Sequence, residues 1–251
     1  ALNLSSLDGS NGFAINGISV SSQCGFVVST AGDVNGDKIV DMIIGAPNAS
    51  PNGKLHAGQV YVVFGRSTGW STALNLSSLD GKNGFILNGI ATGDNSGFSV
   101  SATGDINQDG LDDFMIGART ASPNGQSLAG KSYVVFGKQG SWGSSFNLTS
   151  LNGTNGFILN GVNANDYSGT SVASAGDING DGIADIAIGT LFGNHNYIVF
   201  GQRSEWPTIL NLSNLNGSNG FSMFRVGSCF YLTTSSAGDI NKDGITDVIV
   251  G

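Results

Sequence analysis

The 251-residue chain is poor in several residue types on which many catalytic and metal sites depend. It contains two cysteines, two histidines and one glutamate, namely Cys24, Cys229, His56, His195 and Glu205. Two cysteines are too few for a disulfide framework, and a zinc site would need Cys and His clusters that this chain lacks. A nucleophilic enzyme needs a base beside its Ser or Cys, whereas the two histidines fall in corresponding loops of different repeats. We therefore expect no catalytic residues here, and we expect Glu205 to be solvated.

The two cysteines lie at nearly equivalent points of the first and fourth repeats. A bridge between Cys24 and Cys229 would require those repeats to touch. Two independent buried thiols are the favoured interpretation, because free Cys is commonly buried.

Charged residues are also scarce, at 11% of the chain, and positive charge is the scarcer sign. Ten Lys and Arg against eighteen Asp and Glu leave a formal net charge of −8. The sequence therefore lacks the basic patch that nucleic-acid binding requires, and we expect no nucleic-acid partner. No apolar run approaches the length of a membrane-spanning helix, so we expect no membrane insertion.

Glycine is present in excess, with 40 residues, and this favours an all-β, turn-rich protein. One nine-residue segment occurs four times, at 33–41, 105–113, 177–185 and 239–247. The first three copies start 72 residues apart, and the fourth starts after a further 62. Repetition this regular indicates one supersecondary unit copied in tandem.

Each copy of this segment places Asp, Asn, Asp and Asp at positions one, three, five and nine. This alternation lets a curled loop direct hard oxygen ligands at one cation, and the backbone carbonyl of position seven would add another oxygen. Twelve of the eighteen acidic residues lie at these positions, and four divalent cations would cancel the net charge of −8. The sequence therefore predicts up to four calcium ions. Their expected ligands are Asp33, Asn35, Asp37, Ile39 and Asp41; Asp105, Asn107, Asp109, Leu111 and Asp113; Asp177, Asn179, Asp181, Ile183 and Asp185; and Asp239, Asn241, Asp243, Ile245 and Asp247.

Two other interpretations of these loops are weaker. Asp and Asn favour turns without any metal, but three carboxylates within nine residues repel one another unless they are neutralised. An EF-hand needs a bidentate Glu at its twelfth position, where this chain has only apolar residues. Those residues are Ile44, Ile116, Ile188 and Val250.

Position six distinguishes the first loop from the others. It is Gly110, Gly182 and Gly244 in three copies, where a sharp turn needs positive φ, and Lys38 in the first. Lys38 also adds positive charge beside the cation, and we therefore predict that loop 1 binds calcium most weakly.

Strand patterns surround each loop. In the second repeat we predict strands at 98–103, 114–118, 132–137 and 156–161, separated by turn residues, with the calcium loop between the first two. Four antiparallel strands per repeat favour the blade of a β-propeller. A solenoid is the alternative, although its repeats are usually shorter.

Gly25-Phe26, Gly97-Phe98 and Gly45-Ala46-Pro47, together with the calcium loops, resemble FG-GAP repeats. These repeats build the seven-bladed propeller at the N-terminus of integrin α subunits and occur in many bacterial surface proteins. The resemblance implies that ligands bind on the face opposite the calcium loops. The sequence departs from the repeat pattern at Gly169-Thr170, Tyr231-Leu232, Gly117-Ala118-Arg119 and Gly189-Thr190-Leu191.

We expect one incomplete all-β propeller of four-stranded antiparallel blades, about three and a half of them, from a larger and perhaps seven-bladed ring. The predicted parts are a fourth-strand fragment of a preceding blade at 1–18, blade 1 at 19–90, blade 2 at 91–162, blade 3 at 163–226, and two strands of blade 4 at 227–251. A ring of four blades and a ring formed by two chains are the alternatives. Open sheet edges would invite pairing with further blades or another chain.

For function, we expect an extracellular or cell-surface, non-enzymatic adhesion or protein-interaction module with structural calcium. Millimolar affinity is typical of such loops outside the cytosol. One alternative is a lectin-like propeller that binds glycans, because Trp70, Trp142 and Trp206 recur in step with the repeat. A recurrent Trp more often fills a core site, however. The other alternative is an accessory domain of a secreted enzyme.

Overall fold

The computed structural model describes residues 3–224 and 233–251 and contains no α-helix within them. Six 3-10 helices of three residues each lie at Leu4–Ser6, Pro51–Gly53, Leu76–Ser78, Pro123–Gly125, Leu148–Ser150 and Leu212–Asn214. The strands are β1 (Ala14–Asn16), β2 (Val27–Gly32), β3 (Asp41–Ala46), β4 (Gln59–Val63), β5 (Ala73–Asn75), β6 (Gly84–Asn88), β7 (Ser99–Gly104), β8 (Asp113–Ala118), β9 (Lys131–Val135), β10 (Ser145–Asn147), β11 (Gly156–Asn160), β12 (Ser171–Gly176), β13 (Asp185–Gly189), β14 (His195–Val199), β15 (Ile209–Asn211), β16 (Gly220–Phe224), β17 (Thr234–Gly238) and β18 (Asp247–Val250).

Each complete blade is a sheet of four antiparallel strands, as the sequence predicts. In blade 2 the order is β7, β8, β9 and β11, and every residue of β8 is buried. The unbroken apolar run of this strand matches a strand that is covered on both faces. Blades 1 and 3 repeat the order with β2, β3, β4, β6 and with β12, β13, β14, β16. The all-β propeller fold expected from the repeats is therefore confirmed.

A fifth strand extends two of these sheets beyond the four antiparallel strands predicted for each blade. The connection that follows the third strand of one blade contains three residues that pair, in parallel, with the fourth strand of the preceding blade. Thus β10 lies on β6 and β15 lies on β11, while β5 lies on β1. We call these three the covering strands. The sequence did not predict them because three residues are too few to show a period-two pattern.

The recurrent tryptophans pack between blades. Trp142 is 4% exposed and its ring stacks on Phe85 of the preceding blade, with ring centroids 4.3 Å apart. Trp206 stacks on Phe157 and Trp70 on Phe13 in the same way, each with centroids 4.1 Å apart. These contacts confirm the packing interpretation of the Trp series and remove the observation that favoured a lectin.

The blades follow one another through their innermost strands. Contacts run in series from β2 to β7, from β7 to β12 and from β12 to β17. One apolar cluster joins Val34 and Ile43 of blade 1 to Phe114 and Trp142 of blade 2, so the core lies largely between blades. The described sheets form an open series, with β17 and β18 pairing as a two-stranded sheet.

Strand direction separates the loops into two ends. Because the strands alternate in direction, the loops between first and second strands all emerge at one end, which we call the calcium end after the ions predicted for these loops. The loops at 47–58, 119–130 and 190–194, between second and third strands, emerge at the opposite end with those at 17–26, 89–98 and 161–170, which precede each first strand. We call this opposite end the interaction face. Its loops bond to one another, as where Asn95 N donates to His56 O (3.1 Å) and Tyr167 N to Leu128 O (3.0 Å).

No helix in the described part of the chain is long and apolar enough to cross a membrane. Cys24 is a free thiol that is only partly buried, not buried as expected, because it lies in the loop that precedes β2. Cys229 and the Tyr231-Leu232 pair lie outside the described residues.

Candidate metal centres

The four predicted calcium loops each join the first and second strands of a sheet. They lie between β2 and β3, β7 and β8, β12 and β13, and β17 and β18, and we number them loops 1 to 4. In every loop, positions one to eight form the turn and the ninth residue is the first residue of the second strand. All twenty predicted ligand residues are therefore at the calcium end, five in each loop.

Positions one, three and five form the same hydrogen-bonded curl in all four loops. In loop 2 the carboxylate of Asp105 accepts from Asp109 N (3.0 Å) and Gly110 N (2.8 Å), while Asn107 Oδ1 accepts from Asp109 N (3.0 Å). Asp109 Oδ1 in turn accepts from Leu111 N (3.0 Å). Equivalent bonds occur in the other three loops. These bonds fix the ligand side chains on one short turn.

The curl needs two left-handed residues, and only one of them was predicted. Position six has positive φ in every loop, including Lys38 at 67°. Position four has positive φ as well, and it is glycine in loops 1 and 3 but Gln108 (57°) and Lys242 (63°) in loops 2 and 4. A side chain in this conformation is strained because its Cβ approaches the following carbonyl oxygen. Loop 3 alone has glycine at both positions.

The ninth residue connects three parts of its blade. In blade 2, Asp113 Oδ2 accepts from Ile106 N at position two of the loop (3.0 Å), and Asp113 Oδ1 accepts from Gly137 N just after β9 (2.8 Å). Asp41 and Asp185 make the equivalent pairs of bonds in blades 1 and 3. Asp247 makes the bond to position two, from Ile240 N (2.8 Å).

Burial makes these ninth-position carboxylates difficult to ionise without a cation. Burial raises the pKa of Asp113 to about 8, of Asp41 to about 7 and of Asp185 to about 6, and the backbone donors offset only part of this rise. The neighbouring carboxylates at positions one and five raise the pKa further. An added positive charge would therefore be stabilised here.

The donor atoms of the loops suit the calcium ion that the repeats imply. Every donor is a carboxylate, amide or backbone oxygen, which is the donor set that calcium prefers over zinc or copper. Each oxygen of Asp113 accepts one N–H and so retains acceptor capacity. Across residues 3–224 and 233–251, however, no three Asp, Glu, His or Cys side chains converge as a metal-binding group. The donor chemistry fits calcium, and the twenty ligand assignments stay predictions.

The two histidines and the glutamate lie outside the calcium loops. His56 lies in an exposed interaction-face loop, and His195 begins β14, where its ring contacts Tyr197 and Phe224. Glu205 is exposed, and its backbone carbonyl accepts from Gln202 Nε2 (3.2 Å). The loop position expected for both histidines is correct for His56 and wrong for His195, because the short loop at 190–194 ends just before it and His195 pairs with Phe224 in the sheet.

Three stretches of the chain match the FG-GAP repeat model, at residues 25–63, 96–135 and 168–201. The chain carries three FG-GAP repeats. Each begins just before a first strand, includes one calcium loop and ends with a third strand or just after it, so the repeat unit corresponds to three strands of a blade. Loop 4 lies outside the matched stretches.

Relatives of these FG-GAP repeats occur in much longer proteins. Phosphatidylinositol-glycan-specific phospholipase D of Bos taurus is 32% identical over 166 residues, which are 65% of this chain and 18% of that protein. Integrin alpha-5 of Xenopus laevis is 31% identical over 229 residues, or 88% of this chain and 19% of the integrin. Integrin alpha-2 of Mus musculus is 32% identical over 162 residues, or 63% and 12%. The chain thus spans less than a fifth of the length of each relative. The FG-GAP repeats themselves indicate a β-propeller protein-interaction module.

Sequence reasoning missed the structural partners of the ninth carboxylate. The position-two residues Val34 and Ile106 are fully buried and belong to the clusters between blades. Their consistently branched apolar character was a signal of burial. The Phe-Gly pair after each third strand, whose glycine N–H meets the ninth Asp, was a second signal.

Proposed function

We propose that this chain is an extracellular or cell-surface adhesion module, in which calcium stabilises the propeller and the interaction face binds a protein. The observation that carries the proposal is the arrangement of the FG-GAP repeats. Their acidic loops gather at the calcium end, and loops of different length gather at the other end. The similarity to two integrin alpha chains supports adhesion and a location outside the cytosol.

The interaction face carries side chains that suit a protein partner. Phe26 is 50% exposed and lies 5.0 Å from the ring of Phe98, and the guanidinium of Arg119 lies 3.5 Å above that same ring. In the next blade, Phe192 is 56% exposed and meets Tyr167 edge to face. Aromatic residues and arginine are enriched at the energetic centres of protein interfaces. The exposed large apolar residues of the calcium loops are aliphatic, such as Val40 and Ile240.

The calcium loops support a structural role for the ion. Each ninth-position Asp in blades 1 to 3 joins its loop to the end of the third strand, so a cation there would stabilise the blade as well as the hairpin. Bound calcium would supply the positive charge that the three carboxylates of each loop lack. At a free concentration of a hundred times Kd, one site stabilises a fold by about 2.7 kcal/mol.

Binding of the chain to an immobilised extracellular-matrix extract tests the adhesion proposal. We expect saturable binding in millimolar calcium that falls at least about tenfold in a Phe26→Ser/Phe192→Ser variant, because both aromatic side chains would leave the interface. The matched control is Val40→Ser/Ile240→Ser, which removes two exposed apolar residues from the calcium end and should bind normally. An absence of binding by the unmodified chain, or an equal loss in both variants, would contradict the proposal.

A second candidate, an accessory domain of a secreted enzyme, rests on the similarity to phospholipase D. Under this proposal the propeller contributes binding and the chemistry lies in other residues of a longer protein. Sequencing the complete gene tests it, because an adjoining catalytic domain is required. A gene without one would exclude this candidate.

A further inference from the structure

The eighth residue of a calcium loop is not an expected ligand, yet in loops 2 to 4 its side chain packs against the preceding blade. The residue that it meets is the glycine just before position one of the preceding loop, and these glycines have φ between 70° and 78°. A Cβ on any of them would lie 2.3 to 3.2 Å from the neighbouring side chain, so each contact is close. The pairs are Gly32 with Asp112, Gly104 with Ala184, and Gly176 with Thr246.

Asp112 is the one acidic residue among these eighth positions, and it makes a contact that the others do not. Its carboxylate Oδ2 accepts from Asp33 N (2.8 Å), and its own backbone N donates to Asp33 O (3.2 Å). Among the described residues, Thr246 makes the backbone bond alone, to Asp177 O (2.9 Å). Asp33 is the first predicted ligand of loop 1, so both its N–H and its carbonyl are held by blade 2.

We propose that Asp112 is a positioning residue for the calcium site of loop 1, so that this site is completed by the neighbouring blade. The inference rests on the proposed calcium-binding function. Asp112 fixes the backbone of Asp33, whose carboxylate accepts three N–H groups of the loop, from Gly36, Asp37 and Lys38. Its negative charge also opposes the positive charge that Lys38 brings to the same loop.

This arrangement links calcium in loop 1 to the packing of two blades. Asp112 can strengthen calcium binding at loop 1 only when blade 2 is packed against blade 1. Because binding linkage is reciprocal, calcium in loop 1 must then strengthen the packing of the two blades by the same factor. Loops 2 and 3 have Ala184 and Thr246 in the corresponding places and lack such a carboxylate. Loop 1 should therefore respond to changes in the following blade more strongly than they do.

The test is a site-resolved calcium titration of the full chain by NMR. The amide signals of Gly36, Gly110, Gly182 and Gly244 report loops 1 to 4 separately. We expect Asp112→Thr to weaken calcium binding at loop 1 by about fivefold or more, at the lower end of typical coupling, and to leave loops 3 and 4 unchanged. Threonine occupies the same place at position 246, so the packing and the backbone bond should persist.

Two further variants separate the causes. Asp112→Asn keeps a side-chain oxygen for Asp33 N while removing the charge, and it should recover part of the affinity of loop 1. Asp80→Asn removes an exposed carboxylate elsewhere and should change no loop. Unchanged affinity at loop 1 in Asp112→Thr, or an equal change at all four loops, would overturn the inference. A wild-type chain whose loops show no response to calcium would instead contradict the proposed function itself.

Discussion

At the scale of single residues, the calcium loops are defined by backbone conformation as much as by their acidic side chains. Positions four and six are both left-handed, and loops 1, 2 and 4 each place one long side chain there. Lys38 is therefore not unique in its strain, since Gln108 and Lys242 carry the same cost. The predicted weakness of loop 1 depends on the charge of Lys38, and loop 4 carries a lysine too.

Replacing Lys38 with glycine should stabilise the metal-free protein. A non-glycine residue in the left-handed conformation destabilises the folded state by about 1–2 kcal/mol, and glycine removes this strain. Glycine also gives the unfolded chain more conformational freedom, which offsets part of the stabilisation. We expect the free energy of unfolding to rise by about 0.5–1 kcal/mol in urea denaturation. Lys82→Gly is the control, because Lys82 is exposed and does not have positive φ. Equal effects of the two substitutions would contradict this explanation.

At the scale of structural elements, the covering strand is the piece that joins one blade to the next. Its three residues pair with the preceding sheet, and the Trp just before it stacks on a Phe of that sheet. The connection is thus a structural element that buries apolar surface. Because this element recurs as β5, β10 and β15, the tryptophan before it recurs at the same spacing, as Trp70, Trp142 and Trp206.

Removing one of these tryptophans should weaken the junction between two blades. Trp142 is 4% exposed, so Trp142→Ala should lower the free energy of unfolding by about 3–5 kcal/mol, as large-to-small core substitutions do. Trp70 is only half-buried, and Trp70→Ala should cost clearly less. Guanidinium denaturation followed by circular dichroism measures both. A cost of Trp142→Ala no greater than that of Trp70→Ala would show that the stacked contact does not hold the blades together.

At the scale of the whole molecule, repeated acidic loops make stability depend on cations and pH together. The raised pKa values of Asp41, Asp113 and Asp185 mean that the folded protein binds protons which the unfolded chain has released. Without metal, stability should therefore fall as pH rises from about 4, the ordinary pKa of Asp, to about 8. Calcium would allow these carboxylates to ionise in the folded state and should remove the loss.

Thermal melts of metal-stripped protein at pH 5 and pH 8, with and without millimolar calcium, measure this dependence. We expect a higher Tm at pH 5 than at pH 8 without metal, and a marked increase with calcium that is larger at pH 8. Asp113→Asn should reduce the pH dependence of the metal-free protein, whereas Asp80→Asn, at an exposed turn, should not. A Tm that calcium leaves unchanged at pH 8 would contradict the proposed stabilising role.

The sequence alone determined the features that depend on local chemistry and repetition. The 72-residue step, the alternating strands and the Asp-Asn-Asp spacing predicted an all-β propeller with its acidic loops between first and second strands. The calcium ligands stay predictions, because donor spacing along a chain does not fix where side chains converge.

Only the tertiary structure decided how the blades meet. The parallel covering strands, the Trp–Phe stacks and the pairing of Asp112 with Asp33 all join residues of different repeats. A repeat compared with itself shows which residues recur, but it does not show which copy contacts the next. Which copies touch is decided by the packing of twisted sheets side by side. In that packing, apolar surface is buried and backbone hydrogen bonds are made between neighbouring blades as well as within each blade.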